Sequence, residues 1–441
     1  MNTKYPGDVH KKQRKIVAPI FSVPQLKSVT PIVYDIAEKL AGVLTGEVRT
    51  KSSSFFSKST VAPNGYVESN RSGVLDMSEW MSRVALEAIG KTVLGYSFDP
   101  LDSPHNNPYT SAIKELIPTL FSLSVLRQFA PFLSRLGPAW LRRKLVEWAP
   151  HRAIQKVKDI SDIMDQTAKG ILREKQAEGA GIEGEDKDFI SVLLRENEQA
   201  EPGERLSESE LTGQMTVLIF GAQDTTSSAL SRILYLLSTN LDVQKKVREE
   251  VLAAFVDQDR LGYEVISELP WLDAIIKETL RLYPPVPFVR RTATKERTLT
   301  YSSTTSDVVD ASVTVPVGTT LFVGIAGANR LESVWGQDAK EWKPERWMSG
   351  KNPALIRLPG IYSGMLSFFG GGRSGYRFAQ IEMKILLATL LRRFKFSLTQ
   401  DEIIWNLSQI ISPSVRRTSA DECGLMEEKG LPLVVELTDA Q

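Results

Sequence analysis

Glu278 and Arg281 stand three residues apart in a stretch from about Trp271 that is stopped by Pro284-Pro285. A helix there places both charges on one face as an i, i+3 pair. A guanidinium's planar fork suits bidentate capture of a buried carboxylate better than an ammonium does. Earlier in the chain, Gly221-Ala222-Gln223-Asp224-Thr225-Thr226 sets poor helix formers inside a long apolar pattern. Such a patch either bonds its hydroxyls back to the preceding carbonyls or bends the helix and leaves a groove. His10-Lys11-Lys12-Gln13-Arg14 reads by itself as a basic surface face. Near the end, Phe368-Phe369-Gly370-Gly371-Gly372-Arg373-Ser374 runs directly into Gly375-Tyr376-Arg377-Phe378-Ala379.

The elements that must carry these residues are mostly helical. Pro31 to Leu44 has apolar residues at helical spacing with proline in a first-turn position. Arg49 to Arg71, rich in serine with Pro63 and Gly65, reads as a flexible insert, and Leu75 to Val93 returns to helix. Ile117 to Trp148 is apolar and cut by Pro118, Pro131 and Pro138 into short helices. Its pattern favours hairpins in the core over an apolar roof on a membrane or substrate channel. Gln176 to Lys187 reads as a loop, and Leu206-Ser207-Glu208-Ser209-Glu210 offers capping chemistry for a helix running past Leu237. Strands are expected at Arg297 to Tyr301, Ser312 to Val317, Thr320 to Val323 and Leu431 to Leu437. The expected fold is mainly α with a minor β-sheet region, residues 1–441 forming a single domain with the insert at 49–71.

Taken together and in order, these segments resemble the cytochrome P450 family. Its haem loop reads Phe-x-x-Gly-x-Arg-x-Cys-x-Gly-x-x-Phe-Ala. Phe368, Gly371 and Arg373 fit the first half, while Gly375, Phe378 and Ala379 fit the second in a register displaced by two. The family's cysteine ligand and the residue after it are therefore missing between Ser374 and Gly375, and the chain offers no metal ligand there. The resemblance implies a clamp of Glu278, Arg281 and Arg346, the last from Pro344-Glu345-Arg346-Trp347, holding the loop behind the haem. It implies that Thr225 steadies dioxygen and Asp224 relays protons for its cleavage. It also implies haem propionate partners among His10, Arg14, Arg373 and one of Arg290 or Arg291, Arg14 being favoured over His10 for its permanent charge. Ala222 stands where the family usually has a second glycine.

The resemblance carries a function with it. A fungal, membrane-associated haem-thiolate monooxygenase of secondary metabolism would carry haem (heme b). It would insert one oxygen atom of O2 into an apolar small molecule, with electrons from an NADPH-dependent flavoprotein reductase. An intact member sits on the endoplasmic reticulum membrane. This chain starts just before the propionate helix, so an anchor and the first sheet strands are expected to be lacking, leaving it cytosolic or peripherally attached. As written it is expected to hold haem poorly and to be inactive. The alternative is a non-catalytic helical protein that binds an apolar ligand or a partner. Tyr376 and Cys423 are the replacement ligands to weigh. Intact neighbouring motifs favour a misassigned gene boundary over long decay.

Composition agrees and excludes. With 441 residues, 42% hydrophobic and a net charge of +1, the chain can bury a large core and shows no nucleic-acid signature. One cysteine rules out an internal disulfide, and the three histidines are too scattered to suggest a multi-histidine metal site. A monomer is expected.

Overall fold

The computed structural model describes residues 6–56, 72–102, 122–133, 135–177, 188–301, 311–348, 360–369, 375–408, 410–418 and 425–438, with isolated positions between 109 and 120. Its long helices are α1 (Pro6–Val17), α2 (Val23–Phe56), α3 (Met77–Ile89), α4 (Arg152–Ala177), α5 (Phe189–Gln199), α6 (Glu208–Thr239), α7 (Leu241–Ala254), α8 (Pro270–Leu282) and α9 (Tyr376–Arg393). The strands are β1 (Ser72–Asp76), β2 (Phe288–Thr292), β3 (Arg297–Tyr301), β4 (Ala311–Val315), β5 (Thr320–Gly324), β6 (Phe394–Leu398), β7 (Glu402–Ser408), β8 (Ile410–Thr418), β9 (Leu425–Lys429) and β10 (Pro432–Leu437). They form small antiparallel sheets ordered β1-β10-β6, β2-β5, β3-β4 and β7-β8-β9.

α6 is the spine. Ser207 caps it and Glu210 reaches back to the Ser207 amide, completing the capping box that the sequence announces. Its second half gives Leu230, Ile233 and Leu237 to one buried cluster, shared with α2, α8 and α9. Its first half gives Leu211, Met215 and Ile219 to another, shared with α3, α4 and α5. The residues between, Gly221 to Thr226, therefore lie at the seam of two cores.

Four expectations need correction. Pro31 does not open a helix: α2 begins at Val23 and runs through it. Leu26 and Val29 are fully buried ahead of the proline, so packing outweighs the one missing backbone bond. The insert expected at 49–71 does not begin at Arg49, because α2 continues to Phe56, and residues 57–71 lie outside the described residues. Leu75 and Asp76 belong to strand β1, not to the helix, because β10 pairs with Ser72 to Asp76 from the far end of the chain. Finally, the segment ending at Trp148 is broken into short helices as expected but is not core. Val125, Phe129, Phe132, Trp140 and Trp148 are 57–75% exposed, and Ala139–Trp148 buries no residue. Helices of one turn, such as Ser124–Arg127 and Ala130–Leu133, are too short to present a continuous apolar stripe inward.

Candidate active-site cleft

Two cavities meet where α6 passes α9. One, of about 550 Å³, is walled by Arg14, Val17, Phe21, Val93, Leu218 and Phe378 among others. The second, of about 280 Å³, is walled by Leu280, Val286, Val289, Arg291, Ile325 and Ser367 among others. Gly221, Thr225, Thr226, Phe368 and Ala379 line both, so the two are compartments of one cleft. α9 opens on Gly375, which caps it at a φ of 72° in the left-handed region, and an added Cβ would meet the Phe21 ring at 3.3 Å. Glycine is required there by backbone and space together.

α6 is continuous through Gly221–Thr226, and the Thr225 hydroxyl donates to the Gly221 carbonyl at 2.8 Å. The back-bonded form of this patch is the one adopted. Thr225 faces the cleft, whereas Asp224 is half-buried and lines neither cavity. Burial pushes the Asp224 carboxyl above its usual range, with Lys429 of β9 pulling the other way.

The expected propionate partners divide. Arg14 of α1 lines the larger cavity. Strand alternation puts Val289 and Arg291 on the face of β2 that lines the smaller cavity, leaving Arg290 on the other. His10 belongs to α1 but its side chain lies outside the described residues, as does Arg373 with the rest of 370–374. Cys423 is likewise outside. Tyr376 lines neither cavity: its ring packs beside Tyr362 and Phe368, and Arg377 Nε donates to its hydroxyl at 3.0 Å.

The clamp forms, with a division of labour the sequence did not reveal. Glu278 and Arg281 are both fully buried, and Arg281 Nε and Nη2 donate to the carboxylate at 2.9 and 2.8 Å. Lys343 N and Trp347 Nε1 complete its acceptor set at 3.0 and 2.9 Å. Arg346 reaches Glu278 only at 3.4 Å and binds Asp338 at 2.9 Å, holding that carboxyl below the usual range. Arg281 Nη1 also donates to the carbonyls of Asn329 and Ala339.

Among the buried acids that sequence reasoning missed is Glu382 of α9, beside the cleft, which is 1% exposed and leaves Oε1 without a partner. Burial drives its carboxyl well above the ordinary range, against an opposing hydrogen bond from Thr226 on the cleft wall. A carboxyl whose folded value is raised contributes stability that is full below its unfolded value near 4.5 and lost as pH rises through the folded value. Glu382→Gln is therefore expected to flatten the decline of urea midpoint with pH above about 4.5. An unchanged pH slope would show that Glu382 is ionised in the folded protein. Its only sequence signal was a lone acid in the apolar run Phe378 to Leu391.

Fold and cleft together define a mainly helical protein built round an apolar site with cationic side chains at its walls. The cytochrome P450 family model matches residues 2–416, and the chain belongs to that family. It is 39% identical over 430 residues to cytochrome P450 monooxygenase 91 of Postia placenta, covering 94% of this chain and 76% of that protein. It is 36% identical over 445 residues to a ganoderic acid synthetase of Ganoderma lucidum, covering 96% and 78%. A crystal structure of a cytochrome P450 superposes with a TM-score of 0.69 over 99% of this chain and 80% of that one, at 20% identity. By family this is an oxidoreductase, a haem-thiolate monooxygenase of fungal type, and haem is the family's cofactor. Dioxygen, a substrate and a redox partner are what the family uses in general.

The cleft fits a flat apolar macrocycle with acidic substituents, because Arg14 and Arg291 lie in its walls. The donor set does not fit a thiolate-bound iron. The sequence carries no cysteine between Phe368 and Ala379, and its single thiol is Cys423. Among the described residues, no three His, Cys, Asp or Glu side chains gather to hold a metal.

Proposed function

We propose that this chain keeps the family's cleft and has lost the donor that fixes iron in it, so that it holds haem weakly and does not turn over as a monooxygenase. One observation carries this: Ser374 is followed directly by Gly375, with no thiol in the loop. Arg14 and Arg291 are the groups assigned to acidic substituents of a bound macrocycle, with His10 and Arg373 as further partners and Arg290 turned away. Thr225 offers a hydroxyl to an occupant of the cleft, and Asp224, its neighbour on α6, is the group assigned to proton relay. The clamp of Glu278, Arg281 and Arg346 keeps the surrounding wall in place. Both buried clusters run into α6, which supports reading residues 1–441 as one domain. Titration with haemin followed by a reduced carbon monoxide spectrum tests the reading. A thiolate-type Soret band from the unaltered chain would overturn it.

The lining favours a second role on the same cleft, uptake of an apolar small molecule without chemistry. Leu280, Val286, Val289 and Ile325 make one wall, and relatives include a protein named for ganoderic acid synthesis. Saturable binding of a terpenoid acid by the haem-free chain would favour it, and displacement of that ligand by haemin would place it in the cleft.

No helix among the described residues is long and apolar enough to cross a membrane. The exposed side chains from Val125 to Trp148 support peripheral attachment through this roof. Vesicles of phosphatidylcholine and phosphatidylserine are expected to sediment the chain. Phe132→Ser with Trp140→Ser should weaken that binding by roughly ten-fold or more, since each substitution exposes no new core and removes a large apolar group. Equal sedimentation of both forms would rule out attachment through the roof.

A further inference from the structure

The loop that should present an iron ligand is entered through Leu366 and Ser367, and both are tied to one residue outside the clamp. Asn329 is fully buried. Its Oδ1 accepts from the Leu366 amide at 2.9 Å, and its Nδ2 donates to Ser367 Oγ at 2.9 Å. Ser367 Oγ spends its own proton on the Leu280 carbonyl at 2.6 Å. The Asn329 amide donates to Ile325 O at 3.0 Å, and its carbonyl accepts from Arg281 Nη1 at 3.0 Å. Leu280, Ile325 and Ser367 all line the smaller cavity, and the next residue, Phe368, lines both.

These bonds leave little freedom of residue type at this position. The Leu366 amide can only donate, so it needs an acceptor. Ser367 has already given its proton away, so it needs a donor. A primary amide supplies one of each from a single short side chain. A carboxylate supplies only acceptors, and an aliphatic group supplies nothing and takes this bond from two half-buried polar groups.

We propose that Asn329 is a positioning residue: it transmits the rigidity of the Glu278–Arg281 clamp to Leu366–Phe368 and so sets the wall of the smaller cavity and the entrance to the loop. This role rests on the cleft being a binding site but does not require iron in it. Glu278 bonds to Arg281, Lys343, Arg346 and Trp347, none of them in 360–369. Ser367 bonds directly to Leu280 of α8, and Asn329 ties both Leu366 and Ser367 to Arg281 as well.

Hydrogen exchange resolved by mass spectrometry separates this role from general support. In Asn329→Leu, exchange across 365–369 is expected to quicken by about ten-fold, as loss of the two part-buried hydrogen bonds predicts. Peptides carrying Glu278, Arg281 and Arg346 should stay within about two-fold of the parent. Asn329→Asp keeps the acceptor for Leu366 and loses the donor for Ser367. It should leave the Leu366 amide protected while lowering the melting temperature, since an acceptor then faces Ser367 Oγ at a buried position. Its affinity for iron-free protoporphyrin IX should also fall by about ten-fold, with Ser367→Ala weakening binding less. Metal-free porphyrin needs no axial donor, so this readout is independent of the missing thiol. Unaltered exchange at 365–369 in Asn329→Leu, or loss of clamp protection in step with it, would overturn the proposal. If Asn329→Leu fails to fold, Asn329→Asp and Ser367→Ala decide, and parent-like porphyrin affinity in both would sink it. Should the parent chain bind no porphyrin, the proposed function fails while the exchange comparison still tests Asn329.

Discussion

Insertion of a cysteine and one apolar residue between Ser374 and Gly375 is expected to give a thiolate-type Soret band that the parent chain lacks. Two residues are the right length because Phe368, Gly371 and Arg373 keep one register of the family's loop while Gly375, Phe378 and Ala379 keep another displaced by two. The insertion falls just ahead of the left-handed Gly375 and so leaves the start of α9 and its contact with Phe21 untouched. A thiolate at that point supplies the donor that the rest of the cleft lacks. Haem affinity should rise on the order of a hundred-fold, about 2.7 kcal/mol. A serine-for-cysteine insertion is the control for loop length, and it should restore neither the band nor the affinity. If the cysteine insertion binds iron-free porphyrin yet shows no thiolate band, the donor is not what the chain has lost.

The second large effect is expected at Glu278. Glu278→Ala removes the carboxylate that Arg281, Lys343 N and Trp347 Nε1 share, and leaves the fully buried Arg281 guanidinium uncompensated. Breaking a buried pair from one side costs about 3–5 kcal/mol. Domains of ordinary stability have about 5–15 kcal/mol in total, so the variant should lose much of its folded population on mild warming. Arg346→Lys should cost less, about 1–2 kcal/mol, because Arg346 touches Glu278 only at 3.4 Å, its other bonds include Asp338 and the Trp335 carbonyl, and a lysine keeps the charge. Urea midpoints with an unchanged slope measure both. A Glu278→Ala midpoint within error of Arg346→Lys would mean that the clamp's strength lies in its carbonyl contacts instead.

The sequence made the helices and the clamp legible for different reasons. The Ser207–Glu210 box and Pro284-Pro285 are local signals, and the ends of α6 and α8 follow them. β3 was readable from its own composition, whereas β1, β2 and β6 were not. Phe288–Thr292 carries two arginines on a strand with little buried surface, so it lacks the apolar alternation that marks one. Ser72–Asp76 becomes a strand through β10, a partner that no local window contains. The site shows the same divide. Glu278 with Arg281 shares a helix and could be read from spacing. Asn329 with Leu366 and Ser367 could not, because an amide's donor and acceptor announce no partner before the chain has folded.

The clamp also has a consequence for the order of events on the ribosome. Glu278 and Arg281 leave the exit tunnel together, but Arg346 follows Glu278 by 68 residues. At about 5–20 residues per second that is a delay of roughly 3–14 seconds. During it the carboxylate has one partner, its own helical neighbour, and none of its later donors from the Lys343–Trp347 segment. Arg281 thus acts as a resident counter-ion that keeps the acid from wandering to another cation of the nascent chain. The cleft wall can close only when the chain has emerged as far as Met383, the last residue that lines it.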